Sequence, residues 1–328
     1  MGLFDRARAR SAAIVLIALA ALLAPAAHAA YPERAIRVIV PFPPGGSTDV
    51  FLRILAPRLT ELLGQPVVIE NKAGAAGVIG FDAAAKAPKD GYTVGIVLTG
   101  YVIAPLLPGA SMPFDPAKDL VPVIWLGKSP NVLSVPAAHP AKDIAALLAL
   151  ARAKPGTLTI GHAGNGTSVH LTAELFARHA GLDLVIVPYK GGGPVVADLT
   201  TGHLDMGFNQ LTTVLAHIRG GSLRPVALAA ERRSPTAPDV PTLDEAGVPG
   251  VHTTEWYGAM VPAGTPPEVI RRLNTAFDTA LRDPTVVARC KDLALEIEGG
   301  APERFSALLA SEVDKWASII RETGATNQ

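Results

Sequence analysis

Two series of short apolar strands and amphipathic helices alternate along this chain, and this alternation restricts its fold more than any other feature. The first series runs from Ile36 to Leu98 as strand, helix, strand, helix and strand. The second runs from Ile144 to Ala229 in the same manner. Such βαβ series are typical of a parallel sheet covered by helices. We therefore predict an α/β protein with two lobes rather than one large sheet.

Two proline-rich stretches, Pro122–Pro136 and Pro235–Pro249, separate these blocks. We predict that the chain crosses between the lobes there. The resulting assignment is residues 31–130 and 253–328 for the first lobe and 131–252 for the second.

Helix boundaries can be predicted at several points. The segment from Thr48 to Leu63 carries an apolar stripe at helical spacing and ends before Gly64. Thr265 and Glu268 have the spacing of a capping box, which predicts a helix start at Thr265. A last amphipathic helix is predicted over residues 302–320.

The first thirty residues have the pattern of a secretory signal peptide. Three arginines precede an apolar run from Ala12 to Leu23, and Ala27-His28-Ala29 is a small-x-small end. The apolar run is shorter than the ~20 residues that a membrane-spanning helix needs. We predict export to the periplasm with cleavage near Ala29 or Ala30, and an uncleaved anchor is the alternative.

Charge and cysteine content exclude several classes of protein. The chain carries 29 Lys and Arg against 29 Asp and Glu, so it has no electrostatic footprint for nucleic acid or for an anionic membrane. Cys290 is the only cysteine, so no internal disulfide can form and stability must come from burial. We expect a monomer that binds no nucleic acid.

Motifs of catalysis and metal binding do not occur in the sequence. There is no Gly-x-Ser-x-Gly elbow and no phosphate-binding P-loop. His162 and His170 are separated by too many residues for a His-Glu-x-x-His zinc motif. We expect no catalytic residue, no metal and no cofactor. An exported α/β enzyme remains an alternative, which turnover of a bound ligand would establish.

Two glycine-rich turns carry the strongest binding signal. Pro43–Asp49 and Gly161–Ser168 each join the end of a predicted strand to the start of a helix. Glycines let a ligand approach backbone N–H groups, and a helix N-terminus carries about half a positive charge. Ligands of open α/β sheets bind at the carboxyl ends of the strands. The two turns predict a ligand with an anionic group between the lobes, and two ordinary turns are the alternative.

Longer motifs resemble the Bug-type receptors, the substrate-binding proteins of tripartite tricarboxylate transporters. The similar segments follow one another in order through nearly the whole chain after residue 30, and they include Ile39-Val40-Pro41-Phe42-Pro43-Pro44-Gly45-Gly46, Leu63-Gly64-Gln65-Pro66, Pro88-x-Asp90-Gly91-Tyr92, Val187-Pro188-Tyr189-Lys190-Gly191 and Pro262-Ala263-Gly264-Thr265-Pro266. The resemblance implies a type II periplasmic binding protein fold, or Venus flytrap, in which each lobe is a sheet flanked by helices. It also implies a ligand carboxylate held by the first-lobe loop.

Carried over by motif, the expected site takes residues from both lobes. The first lobe supplies Phe42, Gly46, Ser47 and Asp49, and Thr99 and Gly100 follow its third strand. The second lobe supplies Gly164, Asn165, Gly166, Thr167, Ser168, His170, Tyr189, Lys190, Asp205 and Asn209. Alternatives stay open for three of them: a helix cap for Ser47, a first-turn acid for Asp49 and a solvated surface position for Lys190.

The resemblance implies a receptor for a small carboxylate: a dicarboxylate, a tricarboxylate, an acidic amino acid or an aromatic acid. The expected partners are the membrane permease subunits of a tripartite tricarboxylate-type transporter. A receptor that presents its ligand to a membrane sensor protein is the alternative. The family often carries Phe-Asp where this chain has Phe208-Asn209, so ligand identity does not transfer from receptors that keep the acid.

Overall fold

A computed structural model describes residues 31–326 of the chain. The predicted signal peptide, residues 1–30, lies outside the described residues. From Arg34 onward the chain packs as one unit. Within residues 31–326, no helix is both long enough and apolar enough to cross a lipid bilayer.

The strands of the described chain form one continuous sheet. In chain order they are β1 (Ile36–Val40), β2 (Val67–Asn71), β3 (Thr93–Leu98), β4 (Leu120–Pro136), β5 (Thr159–His162), β6 (Val185–Pro188), β7 (Met206–Gln210), β8 (Leu223–Leu228), β9 (Thr254–Pro262) and β10 (Glu296–Ile297). Neighbouring strands follow the order β2-β1-β3-β9-β4-β7-β5-β6, and β8 and β10 also pair with β4.

Helices cover this sheet. In chain order they are α1 (Ser47–Leu63), α2 (Val78–Ala85), α3 (Gly100–Ile103), α4 (Ile144–Ala153), α5 (Ser168–Ala180), α6 (Gly192–Thr201), α7 (Leu211–Arg219), α8 (Pro267–Leu281), α9 (Pro284–Asp292) and α10 (Pro302–Thr323). Two short 3₁₀ turns, Ala75–Gly77 and Ala104–Leu106, precede α2 and follow α3.

The strand pairings fall into two sets, which form the two lobes. In the first lobe, β1 lies between β2 and β3 in parallel, and β3 continues to antiparallel β9 and the first part of β4. In the second lobe, β5 lies between β6 and β7 in parallel, and β7 and β8 flank the second part of β4. Each lobe thus contains one of the predicted βαβ series.

One of the two proline-rich stretches has a regular structure. Pro122–Pro136 lies within β4, a continuous strand of 17 residues. Its partner is β9 as far as Pro130, opposite Thr254, and from Asn131 onward the partners are β7 and β8. Register shifts follow Pro122 and Trp125. Prolines are tolerated here because bulges and changes of partner leave places where no ladder N–H is needed.

Apolar stripes predicted from the sequence account for the packing of the helices. Phe51, Leu55 and Leu59 of α1 are fully buried, and the helix ends at Gly64, whose φ of 71° favours glycine. In the second lobe, a separate cluster gathers residues of α6, α7 and the adjoining strands, including Leu199, Leu211, Val214 and Leu228. Each lobe therefore has buried apolar residues of its own, and β4 and β9 connect them.

Candidate functional site

A cavity of about 240 Å³, here called the glycine cavity, lies between the two lobes. Both lobes line it, through Phe42 to Thr48, Leu98, Gly100, Ala163, Thr167, Lys190 to Pro194, Gln210, Thr213 and Glu255. The strand ends of β1, β3 and β7 all reach it, as expected for the carboxyl edge of parallel strands. The predicted site residues Phe42, Gly46, Ser47, Gly100, Thr167 and Lys190 lie in this wall.

The first-lobe wall of the glycine cavity is the N-terminus of α1. Gly46 occupies the N-cap position and supplies no capping side chain. The first N–H groups of a helix have no partner within the helix, and the helix dipole places partial positive charge there. Because Gly46, Ser47 and Thr48 all line the cavity, this wall can bind an anion through its backbone. Ser47 Oγ accepts a hydrogen bond of 3.2 Å from the Tyr257 hydroxyl.

Asp49 supports this loop from behind and does not line the cavity. Its carboxylate accepts hydrogen bonds from the Gly45 N–H (3.0 Å), Arg53 Nε (2.9 Å) and Asn71 Nδ2 (3.0 Å). Asn71 also donates to the carbonyl of Phe42 at 3.0 Å. Burial alone would raise the pKa of Asp49, but these hydrogen bonds outweigh it and hold the pKa below its usual value. The geometry therefore assigns Asp49 to loop support instead of the expected ligand contact.

In the glycine-rich turn of the second lobe, both positive-φ glycines donate their N–H groups within the turn. The Gly164 N–H donates to His162 Nδ1 and the Gly166 N–H to His170 Nδ1, both at 3.3 Å. Thr167 is the N-cap of α5, and its Oγ1 accepts from the His170 N–H at 3.3 Å. These donors, which the sequence assigned to a ligand, are thus already hydrogen-bonded within the turn.

The two histidines of this turn stack, with ring centroids 4.7 Å apart. Burial and the neighbouring His170 lower the pKa of His162 to about 3, so His162 is neutral at physiological pH. His170 is itself 4% exposed; its Nδ1 accepts from the Gly166 N–H, and its Nε2 lies 3.6 Å from the Glu174 carboxylate on α5. His170, one of the expected site residues, thus lies behind the turn and not among the residues that line the cavity.

Glu255 lies at the cavity wall and connects the two lobes. This fully buried carboxylate accepts from the Thr99 N–H (2.9 Å) of the first lobe. From the second lobe it accepts from Ser168 Oγ (2.6 Å) and Gln210 Nε2 (3.1 Å). Burial raises the pKa of Glu255, and the hydrogen bonds from Ser168, Thr99 and Gln210 oppose that change.

Thr99 and Ser168 were expected to contact the ligand, and the structure places both side chains elsewhere. Thr99 is fully buried and its Oγ1 accepts from the Trp256 N–H at 3.2 Å, while Ser168 donates to Glu255. Both residues therefore stabilise the junction between the lobes. Gly100 does line the cavity, and a Cβ there would lie 3.2 Å from the carbonyl oxygen of Gly166. The lobes thus approach closely at Gly100.

Asp205 and Asn209 also lie away from the cavity wall. Asp205 accepts from the Thr159 N–H and the Thr159 hydroxyl, both at 2.8 Å, so it joins β5 to the start of β7. Asn209 is fully buried, and neither polar atom of its side chain has a partner among the described residues. A Cβ at Gly192 would lie 3.2 Å from Asn209 Oδ1, which places this amide behind the turn that opens α6.

A second cavity of about 840 Å³, here called the alanine chamber, adjoins the first. The two share Phe42, Pro43, Ala163, Lys190 and Gly191 as walls. Gly164, Asn165 and Tyr189 of the expected site line this chamber instead of the glycine cavity. The Tyr189 hydroxyl donates to Asp198 at 2.5 Å, and burial together with Asp198 raises its pKa to about 12.

Sequence reasoning did not place Glu255, Gln210 or the glycines at the start of α6 in the site. Glu255 is an acidic residue at the start of the apolar run Trp256–Pro262, and this isolated charge was the available signal. Within residues 31–326, no cluster of three or more His, Cys, Asp or Glu side chains is arranged to hold a metal ion.

Known proteins match this chain over nearly its whole length. A family model described as a tripartite tricarboxylate transporter family receptor matches residues 51–325. BugT of Bordetella pertussis is 40% identical over 315 residues, which cover 95% of this chain and 96% of BugT.

Two solved structures share the fold. An R. palustris protein solved with adipate has 34% identity and a TM-score of 0.87, covering 90% of this chain and 99% of that one. The periplasmic binding protein BugD has 32% identity and a TM-score of 0.85, covering 91% and 100%. These matches confirm the predicted two-lobed, type II periplasmic binding protein fold and the prediction of a binding protein rather than an enzyme. The chain belongs to the solute receptor family of tripartite tricarboxylate transporters.

Proposed function

We propose that this receptor binds a small carboxylate between its lobes in the periplasm and delivers it, as a monomer, to membrane permease subunits. The observation that carries the proposal is the uncapped N-terminus of α1 in the cavity wall, opposite Lys190 of the other lobe. Backbone donors, the helix dipole and a lysine together match the chemistry of a carboxylate. A relative of 34% identity was solved with adipate, a dicarboxylate.

The proposed site includes Phe42, Gly46, Ser47, Gly100, Thr167 and Lys190, with Gln210 and Thr213 added by the cavity wall. Asp49, Thr99, Ser168 and His170 do not line the cavity themselves, but each is hydrogen-bonded to a residue that does: Gly45, Glu255 or Thr167. Ligand contact through backbone donors also explains why a single lysine suffices in the glycine cavity.

The test is thermal unfolding of the mature chain with mono-, di- and tricarboxylates, acidic amino acids and aromatic acids. A ligand at one hundred times its Kd stabilises a protein by about 2.7 kcal/mol, which a thermal scan detects easily. Neutral amide analogues of each acid serve as controls. The proposal fails if no carboxylate stabilises the protein, or if the amides stabilise it equally.

We propose that residues 31–130 and 253–328 move against residues 131–252 when the ligand binds. A ligand shifts an equilibrium only by its different affinity for the two states, so it must contact both lobes to close them. Small-angle X-ray scattering with and without a saturating carboxylate measures this. A smaller radius of gyration with ligand is expected, and an unchanged radius would indicate a rigid binding module.

Export and delivery are tested in cells. Intact mass of the periplasmic protein should correspond to a start near Ala30 or Tyr31, and a mass that retains the arginines of residues 1–10 would contradict cleavage. Uptake of the labelled ligand should require both this receptor and the permease subunits. Uptake that persists without the receptor, together with a receptor-dependent transcriptional response, would favour presentation to a sensor.

A further inference from the structure

The wall of the glycine cavity has an acceptor side as well as a donor side. The donor side is the N-terminus of α1 together with Lys190. The acceptor side is formed by Glu255 and Gln210, which both line the cavity and are joined by a hydrogen bond of 3.1 Å. A carboxylate on the ligand matches the donor side and leaves the acceptor side without a counterpart. A ligand that matches both sides needs a further group that donates a hydrogen bond.

The partners of Glu255 fix its carboxylate as an acceptor. Oε1 accepts from the Thr99 N–H at 2.9 Å, and Oε2 accepts from Ser168 Oγ at 2.6 Å and from Gln210 Nε2 at 3.1 Å. A backbone N–H and an amide NH₂ can only donate. An ionised carboxylate has about four acceptor positions, and these hydrogen bonds leave one of them on Oε1. Because Glu255 lines the cavity, a donor on the ligand can occupy that position.

Gln210 adds a second acceptor to this side. Its Nε2 donates to Glu255, so the other polar atom of its side chain, Oε1, is an acceptor. Thr213 Oγ1 lies 3.5 Å from Gln210 Oε1, which is long for an O–H···O hydrogen bond, whose usual length is about 2.7–2.8 Å. A buried acceptor without a good partner costs free energy, and Gln210 is buried. A hydroxyl or ammonium group in the cavity can satisfy both acceptors.

The acceptor side lies next to the N-terminus of α1. Glu255 and Tyr257 are two residues apart in β9, so their side chains point to the same face of the sheet. The Tyr257 hydroxyl lies 3.2 Å from Ser47 Oγ in the first turn of α1. Burial, and after it the carboxylate of Glu255, raises the pKa of Tyr257, which agrees with this proximity. In a cavity of about 240 Å³, the donor of the ligand therefore has to lie close to its carboxylate.

Charge favours the same kind of ligand. A ligand carboxylate and the carboxylate of Glu255 are like charges in one cavity, and they repel each other when no donor lies between them. A hydroxyl or ammonium group between them replaces part of this repulsion with hydrogen bonds to a charged acceptor, which are stronger than those between neutral groups.

Resting on the proposed function, we propose that Glu255 is a specificity-determining residue: it accepts a hydrogen bond from a hydroxyl or ammonium group on the carbon next to the ligand carboxylate. The ligand class is thereby narrowed to 2-hydroxy and 2-amino carboxylates. An unsubstituted acid of the same chain length binds the α1 N-terminus in the same way but gives Glu255 no donor.

Titration calorimetry with three sets of acids tests this on the wild-type protein. Each set contains one parent acid, which is propanoate, succinate or phenylacetate, and its 2-hydroxy and 2-amino derivatives. In a set that binds, one derivative should bind at least about tenfold more tightly than its parent, a difference of about 1.4 kcal/mol. A tighter 2-amino derivative would identify an ammonium donor, and a tighter 2-hydroxy derivative would identify a hydroxyl donor.

Methyl derivatives separate hydrogen bonding from the filling of space. In 2-methylsuccinate and 2-methylpropanoate, a methyl group takes the place of the hydroxyl and donates nothing, so these acids should bind like their parents. The inference is overturned if the tightest acid of the wider panel has no hydroxyl or ammonium group on the carbon next to a carboxylate, and the proposed function then stands. Binding by no acid at all would overturn both.

Variants show whether Glu255 itself receives the donor. Glu255→Gln keeps the shape of the side chain and removes its charge, so the ratio of derivative to parent affinity should fall toward one. Ser168→Ala is the matched control, because it removes one hydrogen bond of the same carboxylate and leaves the acceptor in place. It should keep the preference for the derivative even if both affinities fall. A preference that survives Glu255→Gln as it survives Ser168→Ala would overturn the assignment to Glu255.

Discussion

The two turns at the cleft are both rich in glycine and both precede a helix, but the hydrogen-bond partners of their backbone N–H groups differ. In the first lobe, Asp49 and Asn71 brace the loop from outside the cavity, and Gly46 leaves the α1 N-terminus without a side-chain cap. In the second lobe, Thr167 caps α5, and the rings of His162 and His170 accept the glycine N–H groups. The first turn therefore loses none of its helix-terminal N–H groups to a side-chain cap, whereas the second turn loses one, that of His170.

The difference shows that glycine content alone does not identify an anion site. Glycine permits a ligand to approach the backbone, but the capping residue decides whether donors remain for it. The residue at the N-cap, Gly46 in one turn and Thr167 in the other, is the discriminating feature.

The largest effect is expected when the first turn is given a cap of its own. In Gly46→Asp, the new carboxylate can accept from the first N–H groups of α1 and so compete with the ligand. Gly46 has φ of −73° and a Cβ there would meet only Pro43 O, at 3.5 Å, so the fold tolerates the change. Calorimetry should show at least a hundredfold loss of carboxylate affinity, about 2.7 kcal/mol, with the melting temperature unchanged or raised.

Gly46→Asn separates capping from charge repulsion because it caps without a charge. Gly46→Asn should reduce carboxylate affinity less than Gly46→Asp does. Its affinity should still be well below that of the wild-type protein. Normal binding by both variants would show that the α1 N-terminus does not hold the ligand.

The second effect concerns the brace of the first turn. Asp49→Asn removes a buried, hydrogen-bonded carboxylate and should lower stability by about 1–3 kcal/mol at pH 7, with weaker ligand binding. The pKa of Asp49 is lowered in the folded state, so its stabilisation is present above the usual value of 3.8 and is lost as pH falls through the folded pKa. Denaturant unfolding at several pH values measures the difference in free energy of unfolding between Asp49→Asn and wild type. This difference should become smaller below pH 4. If this difference did not change with pH, Asp49 would not stabilise the loop as an ionised carboxylate.

The third effect has the opposite dependence on pH. The pKa of Glu255 is raised by burial, so its favourable contribution is present below the usual value of 4.5 and is lost as pH rises through the folded pKa. Glu255→Gln should therefore lose less stability relative to wild type at pH 8 than at pH 5. The same unfolding series measures it, with the exposed Glu231→Gln as control. If the stability lost in Glu255→Gln instead increased with pH, the hydrogen bonds from Thr99, Ser168 and Gln210 would outweigh burial in setting the pKa of Glu255.

The smallest effect is expected when the second turn is made like the first. Thr167→Gly removes the side-chain cap of α5, and glycine at an N-cap costs only a few tenths of a kcal/mol. Carboxylate affinity should stay within about twofold, because the Thr167 hydroxyl already bonds the Gly164 carbonyl and the His170 N–H, and the two histidines still accept the glycine N–H groups. A marked gain in affinity would show that the second turn becomes an anion site once uncapped.

Local patterns predicted most helices of this fold, and long-range contacts account for what they missed. The stripe from Thr48 predicted α1 to within one residue, because its burial follows helical spacing. The capping box at Thr265 was wrong: the Thr265 hydroxyl donates to the Pro262 carbonyl at 2.7 Å, and Pro266 is the N-cap of α8. Strand β9 went unpredicted because it is buried along nearly its whole length and shows no alternation.

The candidate site was predictable as two turns but not as a network. Ser47 and Tyr257 are 210 residues apart, as the Tyr257–Ser47 hydrogen bond shows, and no local pattern can relate them. Glu255 likewise meets Thr99 across 156 residues. Whether the Gly164 and Gly166 N–H groups are available to a ligand depends on the orientation of the His162 and His170 rings, and packing alone determines that orientation.

The position of β9 in the sheet determines which lobe can complete its strand pairing first as successive segments of the chain become available. Strand β3 lies early in the chain, but its antiparallel neighbour β9 begins only at Thr254. Within that pair, Gly95 of β3 lies opposite Met260 of β9. Strands β5, β6 and β7 instead find one another within a short stretch of chain. Contacts between distant segments form late because loop closure must come first. The first lobe, whose strands β1 to β3 come first in the chain, therefore completes its sheet last. Until β9 pairs with β3, one edge of β3 has no partner strand.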